Sequence, residues 1–212
     1  MNRKVLILSG LVIVALMLGA CADAGFECDD PIGCVTYGPD DPIHFASMLT
    51  ISGATAFLGD DSSGGIEIAF NDRDNMLLGH EIQWTQEDSL CSPEGGQTAA
   101  TKVAADPTIV GVIGTNCSSA MAAAMDTITG AGLTIISPSN TNPPLTLEDG
   151  TWKEGYFRAC HTDLFQGKVA GEFAYNELGA RTLATIHDGS PYADALQEVM
   201  AATFAELGGT VT

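Results

Sequence analysis

The chain has 212 residues, 45% of them apolar, with 8 Lys and Arg against 27 Asp and Glu and a formal net charge of −19 at pH 7. That apolar fraction supports a packed core and argues against disorder. The acidic field repels nucleic acid and anionic lipid headgroups, so neither is an expected partner. Read from the start, Arg3 and Lys4 precede an apolar stretch over 5–18 that is interrupted only by Ser9 and Gly10. A spanning helix needs about 20 apolar residues, so residues 1–20 are predicted to be a secretory signal peptide.

The signal ends in Leu18-Gly19-Ala20-Cys21. This stretch resembles the bacterial lipobox. The resemblance implies cleavage before Cys21, a diacylglyceryl thioether on its sulfur, and attachment to the extracytoplasmic face of the cell membrane; the plain alternative is an ordinary signal with a chance cysteine. Residues 21–42 hold six carboxylates, Pro31, Pro39 and Pro42 and several glycines without apolar periodicity, which predicts an acidic tether. The folded domain is predicted to begin at Ile43 and run to Thr212.

Apart from Cys21, five cysteines remain, and an exported chain meets an oxidising compartment. Cys28 and Cys34 are close enough in sequence to close a small loop in the tether. Cys91 and Cys117 each follow a predicted strand end. Cys160, inside "YFRAC", is expected to be a buried small hydrophobe rather than a reactive thiol. There is no CxxC pair and no close His pair, so no metal site is predicted.

From Ile43 the pattern alternates strand and helix. "IHFASML" is a strand, followed by "TISGATAFLGDDSSGG", read as a Gly- and Ser-rich loop before a helix in "GIEIAFNDRDN". "HEIQWTQED" alternates as a strand with one polar face. "SPEGGQTAATKVAAD" is helical, with Pro93 in the first turn where its missing N–H does no harm. "TIVGVIG" is a strand, "SSAMAAAMDTITGAG" a helix, "LTIISPS" a strand broken by Pro138, and "GYFRACH" a further strand. "DLFQGKVAGEFAYNELGA" is a helix with Leu164, Val169, Phe173 and Leu178 on its apolar side, closed by Gly179. "RTLATIHDG" is a strand and "PYADALQEVMAATFAELGG" a helix; "AELGGTVT" then reads as a helix end, a turn and the first residues of a strand, so an incomplete chain is expected.

Repeated βα units imply an α/β fold with a parallel sheet and right-handed crossovers. Ligands of such sheets sit outside the carboxyl ends of the strands. The loops there are small and polar: "SGAT", "EDSLCSP", "TNCSS", "SPSNT" and "HDGSPY". A helix N-terminus carries free N–H groups and about half a positive charge. Ser118 or Ser119 is predicted at or near the N-cap after Asn116, where a hydroxyl either caps the helix or donates to an anion. With the adjacent 137–141 loop it makes a pocket suited to a carboxylate.

The stretch "VIGTNCSSAMAAAMDTITGAGLTIISPSNTNPPLT" resembles the Leu/Ile/Val-binding proteins of bacterial branched-chain amino acid ABC transporters, which are type I periplasmic binding proteins. "SGATAFLG", "EDSLCSPEGGQTAATKVAADP", "FRACHTDLFQG" and "HDGSPYADAL" carry the same resemblance, which covers nearly all of 43–212. It implies parallel sheets with helices on both faces in two lobes, an N-terminal lobe over 43–160 and a truncated second lobe over 161–212, closing on an amino acid in the cleft. It also implies a Cys91–Cys117 disulfide. By position, Ser118 resembles the serine that holds the ligand carboxylate, and Ser139 and Thr141 match the loop contacting carboxylate and ammonium. Tyr192 resembles the aromatic from the second lobe, and Asp163 an acidic residue at the lobe junction that serves the ammonium or the hinge. The family's main acidic partner for the ammonium falls beyond Thr212. Two positions depart: Leu58, beside Phe57, stands where the first loop often has an aromatic, and Asn116 replaces an apolar residue, which bears on the ligand's side-chain pocket.

The expected function is therefore a lipid-anchored receptor that delivers a small-molecule ligand to ABC permease subunits, with no cofactor. A sensor domain of the same fold is the alternative. A hydrolase using Cys117 or Ser118 lacks a G-x-S-x-G elbow and a placed base; His161 and His187 are its only histidine candidates, and each reads better as a hydrogen-bonded rim residue. No P-loop lysine or G-x-G-x-x-G occurs, so ATP hydrolysis belongs to another subunit.

Overall fold

The computed structural model describes residues 27–29 and 34–212. The predicted signal peptide, the predicted lipid attachment at Cys21 and residues 21–26 and 30–33 of the tether lie outside the described residues. The chain divides into two compact units, Met1–Cys34 and Val35–Thr212. Cys28 and Cys34 are joined by a disulfide, with Cα atoms 5.8 Å apart. Among the described residues no helix is long and apolar enough to cross a membrane.

The second unit opens with β1 (Ile43–Leu49), α1 (Phe57–Asn71), β2 (Met76–Leu77), β3 (His80–Asp88), α2 (Pro93–Ala104), β4 (Ile109–Gly114), α3 (Ser118–Gly130) and β5 (Thr134–Ser137). A 3-10 turn (Pro143–Leu145), β6 (Tyr156–Arg158), α4 (Asp163–Glu172) with a π turn (Phe173–Glu177), β7 (Thr182–Leu183), α5 (Pro191–Glu206) and β8 (Thr210–Val211) complete it. Strands run in the order β2-β3-β1-β4-β5-β6, with β7 and β8 in a separate pair. Every pairing is parallel except the short β2–β3 ribbon. This is the α/β parallel architecture expected from the βα repeat.

Register assigns the two faces. Ala46 and Met48 of β1, Val112 of β4 and Ile135 of β5 point to one side, where they pack on Ala99, Ala100 and Val103 of α2 and Met121, Ala124, Met125 and Ile128 of α3. Alanine and glycine let these two helices approach: a Cβ on Gly96 would strike the backbone of Ala120. On the other side, Phe45 stacks with Phe70 of α1, which meets Trp84 of β3 edge-on. The same face carries the row Ser47, Ile113, Ile136 and Phe157 across β1, β4, β5 and β6, of which Ile136 and Phe157 are exposed.

Four sequence expectations need correction. The 50–65 segment is not a loop throughout: α1 begins at Phe57, because Gly59 lies against the Thr50 backbone where a Cβ would clash, and the Ser62 hydroxyl bonds the Leu58 carbonyl within the helix. The apolar side of α4 faces outward. Leu164, Val169, Phe173 and Leu178 are all exposed, while Gly167 and Gly171 are buried against Leu196, Val199, Met200 and Thr203 of α5. The small-residue face wins the packing since only glycine allows that approach. The strands predicted in "GYFRACH" and "RTLATIHDG" shrink to three and two residues, the extents over which they find ladder partners. Cys160 is half-buried rather than buried; its thiol donates to the Asn140 carbonyl at 3.4 Å, and burial pushes its pKa up.

Candidate functional site

The carboxyl ends of β1, β3, β4 and β5 converge, and each is followed by a small polar turn. The fully or nearly buried polar side chains of this rim are Thr50, Ser89, Asn116, Ser118, Asn140 and Thr141. Their burial is affordable because all but Thr141 are hydrogen-bonded: Thr50 to Ser89 and Asn116, Ser118 to Asn142, and Asn140 to Thr115 and Tyr156. Short side chains are needed here: they let neighbouring turns approach within hydrogen-bond distance.

Cys91 and Cys117 are joined by a disulfide, with Cα atoms 5.1 Å apart. The bridge staples the turn after β3 to the turn after β4. Cys117 occupies the N-cap of α3 with extended backbone, and its sulfur makes no cap hydrogen bond. Ser118 therefore sits one residue inside the helix. Its hydroxyl does not cap: it accepts the Asn142 N–H at 3.2 Å. The Ser119 hydroxyl donates to the Cys91 carbonyl at 3.3 Å. In the first turn of α3 the Ala120 and Met121 N–H groups both reach the Cys117 carbonyl, at 3.1 and 3.2 Å, which leaves those of Ser118 and Ser119 as the open donors of the helix N-terminus.

The loop after β5 is fixed from several sides. The Ser137 hydroxyl donates to the Thr115 carbonyl at 2.8 Å and accepts the Asn140 N–H at 2.8 Å. The Ser139 hydroxyl donates to the Asn116 carbonyl at 3.0 Å. Tyr156, fully buried, donates its hydroxyl to Asn140 Oδ1 at 3.3 Å, and burial pushes its pKa well up. Thr141 is different. It is buried, yet its hydroxyl has no hydrogen-bond partner among the described residues.

Asn116 turns toward β1. Its Oδ1 accepts the Thr50 N–H at 2.9 Å, and its Nδ2 donates to the Leu58 carbonyl at 3.2 Å and to Ser62 Oγ at 2.9 Å. Its amide thus ties the start of α1 to the turn before α3. Asp88 closes the same corner. It accepts the Ile51 N–H at 3.2 Å, the Leu90 N–H at 2.9 Å and the Ser52 hydroxyl at 2.5 Å. Burial alone would raise its pKa, but these donors outweigh burial and hold it below the usual carboxylate range.

Asp163 opens α4 fully buried, and its N–H donates to the Thr141 carbonyl at 2.9 Å. Neither carboxylate oxygen has a well-formed hydrogen bond. Burial raises its pKa, opposed by the nearby Thr141 hydroxyl, Arg158 and His161. Tyr192, in the first turn of α5, is exposed, and the carbonyl of its neighbour Pro191 accepts Asn142 Nδ2 at 2.7 Å. Asn142 thus joins Ser118 to the start of α5. His161 bonds Gln166 at 3.0 Å, and His187 lies 3.7 Å from Asp194.

The structure brings Ser118, Ser139, Thr141 and the Asn116 backbone to one rim, with Asp163 behind Thr141 and Tyr192 reached through Asn142. Asn116's side chain faces away, toward α1. A cavity of about 590 Å³ lies beside this rim, lined by Asn142, Pro143, Leu164, Pro191 and Asp194 among others; Ser118, Ser139 and Thr141 do not line it. Sequence reasoning passed over Thr50, Asp88, Asn140, Asn142 and Arg158. The local signal for Thr50, Asp88 and Arg158 was their position at strand ends; Asn140 and Asn142 lie in the loop after β5 and had none.

A family model described as periplasmic binding protein matches residues 42–212. An amino acid binding protein of Pseudomonas aeruginosa is 32% identical over 159 residues, 74% of this chain and 42% of that protein. Leu/Ile/Val-binding protein homolog 1 of Brucella abortus is 32% identical over 162 residues, 76% of this chain and 43% of that protein. Among solved structures, a leucine binding protein from Thermotoga maritima superposes with a TM-score of 0.74 at 26% identity, covering 80% of this chain and 47% of that one. The chain spans less than half the length of these relatives.

Proposed function

The chain belongs to the periplasmic binding protein family, and from that premise we propose that it is the ligand-holding part of an extracytoplasmic solute receptor of an ABC transporter. Its ligand is an amino acid of branched-chain type or a similar small carboxylate, held in a cleft between two lobes and passed to permease subunits. Residues 43–160 supply the first lobe and 161–212 begin the second. Export by residues 1–20 and a lipid on Cys21 keep the receptor on the extracytoplasmic face of the membrane, with the acidic 21–42 segment as tether.

One observation carries this reading. Ser118, at the N-terminus of α3, and Thr141, in the next loop, are held together through the Asn142 N–H, beside a disulfide that fixes the α3 turn. Hydroxyls and first-turn N–H groups at the positive end of a helix make a seat for a carboxylate. The unused Thr141 hydroxyl offers the site a free hydrogen bond. Closure of a second lobe would add contacts only in the shut state, so ligand shifts the open–closed population. A hydrolase reading finds no support: Cys117 is held in a disulfide, and the Ser118 hydroxyl is engaged by Asn142.

The test is a thermal-shift screen of the full-length mature protein against amino acids and small organic acids. A ligand at 100 times its dissociation constant stabilises by about 2.7 kcal/mol. Stabilisation is expected only from compounds with a free carboxylate, and is expected to vanish in the Ser118→Ala, Thr141→Ala double variant. A response restricted to uncharged sugars overturns the proposal.

A further inference from the structure

Arg158 has an unusual set of partners. It ends β6, in register with Ser137 of β5, and its half-buried side chain reaches into the loop that follows β5. Nη1 donates to the carbonyls of Asn140 at 2.8 Å and Asn142 at 3.1 Å. Nη2 donates to the Pro143 carbonyl at 3.4 Å and to the Thr146 hydroxyl. No carboxylate lies within ion-pair distance of it among the described residues. A surface arginine is free to pair with carboxylates; this one grips the backbone of a single loop.

The loop needs such a grip. Pro143 and Pro144 remove two N–H donors, and within 140–146 only the Leu145 and Thr146 N–H groups brace the loop on itself, through the Asn142 and Pro143 carbonyls. A planar guanidinium with five donors in fixed geometry bridges several carbonyls at once, which a lysine ammonium on a flexible stem does less well. The residues it holds are the ones that matter to the candidate site. Asn140 lies between Ser139 and Thr141. Asn142 gives its N–H to Ser118 and its side-chain amide to Pro191, at the start of the helix that bears Tyr192. One cation thereby sets the loop, the Ser118 hydroxyl and the seat of α5.

We propose that Arg158 is the positioning residue of the ligand site: it touches no ligand, and by clamping the carbonyls of Asn140, Asn142 and Pro143 it holds Thr141 and Ser118 in their binding geometry. The inference rests on the solute-receptor reading above.

The test uses the full-length mature protein, Arg158→Met and Arg158→Lys variants, L-leucine as the probe, and amide hydrogen exchange as a readout that needs no ligand. In Arg158→Met, exchange over 139–146 accelerates while exchange over β4 stays at the wild-type rate, and L-leucine affinity falls about tenfold or more. Millimolar guanidinium restores both in part, because it refills the vacated position with the same donors. Arg158→Lys lies between the two, and it carries the test if the methionine variant does not fold. Unchanged exchange over 139–146, acceleration spread equally to β4, or an unchanged L-leucine affinity each overturns the role of Arg158. A wild-type protein that takes no L-leucine counts against the ligand class, and the exchange comparison still decides Arg158.

Discussion

The backbone carbonyl of Thr141 accepts the N–H of Asp163 at 2.9 Å, and beside that bond the Thr141 hydroxyl and both Asp163 carboxylate oxygens are buried without a well-formed partner. The loop after β5 and the first turn of α4 meet at this point. Orphaned buried polar groups are costly and rare. Their concentration at the rim where the strands end, while the surrounding serines and asparagines are satisfied, is a departure from local rules of the kind the proposed ligand site accounts for.

Asp163 makes stability depend on pH with a definite sign. Burial raises its pKa above the ordinary value of 3.8. Below that value both folded and unfolded chains carry it neutral, and its contribution to stability is fully present. As pH climbs, the unfolded chain ionises freely while the folded one resists, so the contribution is lost and levels off above the folded pKa. Asp163→Asn does not titrate. Its stability relative to wild type is expected to rise as pH climbs from about 4 toward neutral. Urea midpoints across that range check it, and a difference independent of pH refutes it.

The disulfide between Cys91 and Cys117 closes a sequence separation of 26 residues. In the chain-entropy model such a loop stabilises by about 3 kcal/mol. The Cys91→Ser, Cys117→Ser double variant is expected to lose about that much in urea unfolding, and in reductant, which opens Cys28–Cys34 in both proteins, wild type should share the variant's midpoint.

Asn116→Ala removes three hydrogen bonds and leaves the buried Thr50 N–H without an acceptor. The expected loss is about 2 kcal/mol. Asn116→Asp keeps the acceptor for Thr50 but loses both donors, so it should fall below wild type as well. Chemical denaturation of the three proteins gives the ranking.

Two glycines make a contrasting pair. Gly96→Ala drives a Cβ into the Ala120 backbone and is expected to cost roughly 1–3 kcal/mol by overpacking α2 against α3. Gly64, inside α1, has nothing within 4 Å of its would-be Cβ. Gly64→Ala should stabilise by roughly 0.5–1 kcal/mol, since it only removes glycine's unfolded-state freedom. Opposite shifts in thermal midpoint are expected; two shifts of the same sign contradict the packing derived from these contacts.

The strand-turn-helix unit built on "TIVGVIGTNCSSAMAAAM" was legible because its signals are local. An apolar run gives way to Asn, Cys and Ser and then to a helical period, and the structure has β4, a turn and α3 there. The start of α1 was not legible. Gly59, Ser62, Ser63, Gly64 and Gly65 are poor helix formers, and Gly59 is explained only by Thr50 lying against it. Arg158 was invisible for a related reason: Pro143 and Pro144 mark a loop short of donors, but nothing local says which residue, twelve or more positions on, supplies them.

By itself, the sequence determined that strands and helices alternate along the chain and which small polar turns stand at the strand ends, because periodicity, prolines and capping serines act within a few residues of themselves. Only the tertiary structure decided that the glycine side of α4 packs inward while its leucine and phenylalanine side faces out, that the Ser118 hydroxyl bonds Asn142 instead of capping its helix, and that Thr141 is left with a free hydroxyl. Those outcomes depend on how closely elements distant in sequence approach one another, and that distance is set by the backbone and side-chain volumes of both partners together.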